Sequence, residues 1–102
     1  MVAEEMLLKP GESEVIGLWI DLGSRMEKDA NWQRIEWLTT GHLVELARAE
    51  NGLDILYRNP SDERLWEKAH DHPGLPDGGP PRLSVIDNDA AAGKYPDAFC
   101  RQ

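Results

Sequence analysis

His70-Asp71-His72 is the segment whose residue types and spacing come closest to metal chemistry. Alternate positions of a strand put two imidazoles on one side, and an aspartate between them is placed to orient one ring. A catalytic zinc site needs a third protein ligand. Neither His42 nor any of the nineteen carboxylates stands at a spacing that marks it as one. Pro73 follows at once, so the trio belongs where a strand runs out into a loop. Solvated polar residues are the plainer account, and such residues are also free to face a partner. Nucleophilic catalysis has no basis in the chain. There is no Gly-x-Ser-x-Gly elbow, and Cys100 lies two residues from the end. Asp77-Gly78-Gly79-Pro80-Pro81 is no phosphate loop, because two prolines bring no amide hydrogens and open no helix. No cofactor and no metal are expected, and the reading is of a protein that is not an enzyme.

Charge points the same way. Nineteen acidic residues against eleven basic give a net charge of −8 over 102 residues. The excess is spread along the chain. Residues 1–50 carry ten acidic and five basic side chains, and residues 51–102 carry nine and six. This argues against a nucleic-acid partner, whose phosphates are met by clustered Lys and Arg, and against an anionic membrane surface. It suits attraction to a cationic protein. One cysteine allows no intramolecular disulfide. Glu4 and Glu5 stand where a secretory signal would carry positive charge and then an apolar run. The expected location is the cytoplasm.

Short elements must position these groups, because Gly and Pro punctuation recurs every few residues. One domain is expected over residues 1–102, with tails at 1–11 and 96–102. Ser13 to Ile16 suits a single helical turn. Residues 17–22 suit a strand, with Leu18, Ile20 and Leu22 on one face and Trp19 on the other. The clearest helix runs from about Asp29, a good N-cap, to Thr39, and Gly41 ends it. Trp32, Ile35 and Leu38 form its apolar stripe, and Trp37 points away from that stripe. Strands are expected at 42–48, 53–58, 64–70 and 82–87, joined by an Asn51-Gly52 hairpin and by the Asn59-Pro60-Ser61-Asp62 turn. Helix is the rival for 62–70. Asp87 or Asn88 caps a last helical turn that Gly93 stops. The fold class is α+β: a small antiparallel sheet of about four or five short strands with one main helix packed on a face.

Four tryptophans are many for this length. Trp32 suits the core. Trp19, Trp37 and Trp66 fall opposite the more apolar sides of their elements, where they either pack under a second layer or anchor an interface. The expected binding surface combines Glu36, Trp37, Asp62, Glu63, Trp66 and the His70, Asp71, His72 segment.

Four stretches in order resemble the immunity protein 27 family of bacterial polymorphic-toxin systems. They are Glu12-Ser13-Glu14-Val15-Ile16-Gly17-x-Trp19, Arg34-Ile35-Glu36-Trp37-Leu38, Leu56-Tyr57-Arg58-Asn59-Pro60-Ser61-Asp62-x-x-x-Trp66-Glu67, and Gly78-Gly79-Pro80-Pro81-Arg82-Leu83. The chain departs from the family pattern near Glu63 and Leu65, where Gly and Tyr are usual, and at Lys68 to Pro73, where a Thr-Tyr-Pro segment is usual. The resemblance implies an antitoxin-like inhibitor that binds the C-terminal domain of a cognate toxin one-to-one and blocks it without turnover. A protein-binding module with no toxin, and a small metal-dependent enzyme using His70, His72 and carboxylates, are the alternatives.

Overall fold

A computed structural model of the chain describes residues 6–50, 53–70, 74 and 79–99. Ten elements follow in order: β1 (Glu14–Ile16), β2 (Trp19–Asp21), β3 (Met26–Lys28), α1 (Ala30–Gly41), β4 (Val44–Arg48), β5 (Ile55–Arg58), β6 (Leu65–His70), β7 (Pro81–Val85), α2 (Asn88–Lys94) and α3 (Pro96–Phe99). Five strands make one antiparallel sheet in the order β1-β7-β6-β5-β4, and β2 and β3 form a separate hairpin. The α+β architecture is the one the sequence leads to.

Alternation in β5 and β6 explains why the sheet is covered on both sides. Ile55, Tyr57 and Trp66 point to the face that receives Ile35 and Leu38 of α1, along with Val15 and Leu83. Leu56 points the other way and packs with Ala91 and Tyr95. The helix begins where Asp29 accepts a hydrogen bond from the Trp32 amide at 2.8 Å. It runs two residues past Thr39, and Gly41 is its last residue rather than the one beyond it.

Several expectations are corrected. Residues 14–16 are a strand, not a helical turn: Val15 sits opposite Leu83, and β7 supplies the hydrogen bonds that three isolated residues lack. The helical alternative for 62–70 gives way to β6, because β5 and β7 flank it on both sides. Gly93 lies inside α2, and Tyr95 closes that helix by donating its amide hydrogen to the Ala91 carbonyl. Within the two terminal segments, Leu8 is buried in the core, and Pro96–Phe99 is a short helix whose Ala98 packs beneath the sheet. The Asn51-Gly52 turn lies outside the described residues, although β4 and β5 do pair antiparallel around it.

The segment at 17–22 departs most. Its strand narrows to Trp19–Asp21 and pairs with β3, not with the main sheet. Gly17 allows the chain to cross there. A Cβ on it would lie 3.1 Å from both Pro81 and the Trp32 side chain, and its amide donates to the Pro81 carbonyl at 2.9 Å. Gly23, at φ +86°, makes the turn into β3.

Glu63 is the single non-glycine residue with positive φ among the described residues, at +66°. The left-handed conformation costs an ordinary side chain roughly 1 kcal/mol. Its 3.2 Å ion pair with Arg58 is exposed and contributes little. Glu63→Gly is therefore expected to raise stability by up to about 0.5–1 kcal/mol, the gain reduced by glycine's freedom in the unfolded chain. Urea unfolding checks it, and a loss of stability would show that the turn needs the carboxylate.

Candidate functional site

The anticipated site residues divide into two groups. Glu36 on α1 and His70 at the end of β6 meet at one cleft of about 290 Å³, which Trp19, Lys28, Trp32 and Lys68 also line. Asp62 and Glu63 lie in the turn that precedes β6. A strand rises about 3.3 Å per residue, so they stand roughly 20 Å from His70 along β6. Asp71 and His72 lie outside the described residues.

Each side chain has local work as well. Asp62 accepts from Arg64 Nε at 2.7 Å and from the Arg64 amide at 3.0 Å. The same guanidinium donates to the Glu12 and Lys9 carbonyls, which ties the turn to the chain before β1. Glu36 accepts from Lys28 Nζ at 2.6 Å. Trp37 is half-buried, packs against the core and stacks on His42 with ring centroids 5.7 Å apart. Trp66 is fully buried in the layer between α1 and the sheet. It holds the sheet rather than presenting itself to a partner, because a tryptophan in this chain's core has no outer surface to offer.

What spacing alone missed is the surface of the hairpin. The alternation of Leu18, Ile20 and Leu22 is real, but it faces solvent. Leu18 is 58% exposed, with Ile20 and Leu22 exposed beside it, and Met26, across from Asp21 on the other face of the hairpin, is 52% exposed. Trp19, on the other side, packs edge-to-face on Trp32 at 4.7 Å and is still 43% exposed. Apolar alternation says which residues share a face and not which face is covered. Single exposed apolar residues are ordinary, whereas a contiguous group marks a contact surface. Glu27 lies directly across from Ile20, so carboxylate borders the stripe.

Lys28 and Lys68 were also missed. The alternation of Trp66, Lys68 and His70 on one side of β6 carried that signal. Burial lowers the Lys68 ammonium below its ordinary pKa, and the Glu36 charge works against that fall. On the opposite face, a wider groove of about 490 Å³ runs between Arg48 and Lys94. Lys94 is held there by Asp54 at 2.7 Å and Glu67 at 2.6 Å, and Tyr95 donates to Glu67 at 2.7 Å. Burial and the neighbouring Glu67 raise the Tyr95 phenol, so it stays a donor.

Among the described residues, no three His, Cys, Asp or Glu side chains gather as a metal-holding group. No described helix is long and apolar enough to cross a membrane. Fold and surface together define a small α+β domain whose most distinctive feature is a projecting apolar hairpin beside an aromatic, charged cleft. The immunity protein 27 family model matches residues 21–87, and the chain belongs to that family. No curated protein and no solved structure matches it. Membership implies a toxin-neutralising role with a toxin as the partner protein.

Proposed function

We propose that the protein neutralises the C-terminal domain of a cognate secreted toxin in the cytoplasm by binding it one-to-one, without catalysis. The β2–β3 hairpin carries this reading: Leu18, Ile20, Leu22 and Met26 are large apolar side chains that the fold leaves outside its own core. Hydrophobic anchors within a polar rim are the usual anatomy of a protein interface. The net charge of −8 supports a basic cleft on the toxin as the target, with carboxylates standing where an anionic substrate would bind. Glu36 and His70 border the hairpin side, and Trp37, half-buried beside His42, extends the proposed contact along α1. Asp71 and His72 follow His70 directly in the sequence and are proposed to contact the partner with it, whereas Asp62 and Glu63 join the contact where the partner spans the length of β6. A standard interface of roughly 800 Å² per partner is wide enough to do so.

The expected result is co-purification with the toxin domain encoded by the neighbouring gene and protection of cells that express it. Leu18→Ala combined with Leu22→Ala weakens the complex by at least about tenfold. The same pair leaves the melting temperature of the free protein within a few degrees, because neither side chain is buried. Unaltered affinity in the double variant, measured by calorimetry, would move the interface elsewhere.

A further inference from the structure

The cleft beneath the hairpin is locally cationic on an otherwise acidic molecule. Lys68 stands on the inward face of β6, across from Ile55 on one side and Leu83 on the other. It forms no hydrogen bond or ion pair among the described residues, and burial disfavours its charge. Glu36 is the nearby acid, but its Oε2 is already 2.6 Å from Lys28 Nζ. Two ammonium groups therefore share one carboxylate. Trp19 and Trp32 wall one side, with Lys28 Nζ 5.2 Å over the Trp32 ring, and His70, Gly79 and Pro81 complete the lining. A half-buried ammonium that shares its one nearby carboxylate with a second ammonium is incompletely compensated, and an arriving anion supplies the balance. At about 290 Å³ the cleft has room for a side chain.

We propose that this cleft is a socket for one Asp or Glu side chain of the toxin domain. The carboxylate pairs with Lys68 Nζ and the methylenes lie against the two indoles. The proposal rests on the inhibitory reading above and adds a specificity device to it. General negative charge attracts any basic toxin, but a lone cationic socket accepts only a toxin with an acid at the matching place. A partner lacking that acid leaves Lys68 more deeply buried with only its share of Glu36 as compensation among the described residues.

The test is calorimetric binding of a catalytically inactive toxin C-terminal domain to wild-type protein, Lys68→Met and Lys68→Arg. Lys68→Met is expected to bind at least tenfold more weakly, while its own melting temperature is equal to or above that of the wild type. Lys68→Arg is expected to stay within a few-fold of wild type. Tight wild-type binding matched by Lys68→Met overturns the socket and leaves the inhibitory function standing. If the wild type binds no toxin, the inhibitory reading fails, and titration with glutarate judges the socket alone through tryptophan fluorescence. A saturable change in the wild type that is lost in Lys68→Met supports the socket; no change in the wild type overturns it.

Discussion

Trp66→Ala is expected to destabilise the protein by about 3–5 kcal/mol, enough to unfold much of a domain of this size at physiological temperature. The side chain is 0% exposed, and it joins Tyr57 on β5 to Val85 on β7. Its removal opens a cavity in the centre of the sheet's α1 face, which backbone hydrogen bonds on both sides prevent from collapsing. Arg64 lies 4.9 Å over the ring and loses that contact too. Trp66→Phe should cost distinctly less, because it keeps most of the volume and removes a buried indole nitrogen that has no acceptor among the described residues. Thermal unfolding of the two variants checks the order. Equal, small losses would mean that Trp66 packs loosely and that this core layer is misjudged.

Arg34→Ala carries the second largest effect, about 2–4 kcal/mol. Its side chain is 13% exposed. It donates to the Met6 carbonyl at 3.0 Å and the Leu7 carbonyl at 2.6 Å, and grips Glu12 through both oxygens at 2.8 and 2.7 Å. One planar fork thus fastens the N-terminal segment, with its buried Leu8, to the helix. Lysine offers no such fork, so Arg34→Lys should recover little of the loss. The pair also sets an acid limit. The Arg34 hydrogen bonds hold the Glu12 carboxyl at about 2, below its ordinary 4.5, against the opposing effect of burial and with help from the Lys9 amide. A carboxyl depressed in the folded state adds stability that is fully present above pH 4.5 and is lost as pH falls towards 2. For a carboxylate still in contact with water, that contribution is about 1–2 kcal/mol. Arg34→Ala should flatten the acid limb of stability against pH. An unchanged limb would assign acid sensitivity to other carboxylates.

The helix was legible because a cap and a stripe coincide within one segment: Asp29 satisfies the first amides, and Trp32, Ile35 and Leu38 recur at helical spacing. The β4-to-β7 meander was legible because turn chemistry and alternation agree. β1 was not, since Glu14–Ile16 becomes a strand only beside β7, whose residues come nearly seventy positions later. β3 had no pattern of its own either. Met26-Glu27-Lys28 pairs because Gly23 turns the chain back on β2. Of the site, Glu36 and His70 were within reach of reading by residue type. Their meeting with Lys68 and Trp19 was not, because it joins α1, β2 and β6.

From its residues alone this chain is acidic, short-elemented and α+β, with family stretches in a recognisable order; these follow from composition, local periodicity and turn chemistry, which act between near neighbours. Which side of an alternating strand meets water is a different matter. Leu18, Ile20 and Leu22 look like core and stand outside it, while Trp66 looks available and is sealed. Only the packing of distant elements decides that, because burial depends on what else arrives at a face and not on the residues that make it.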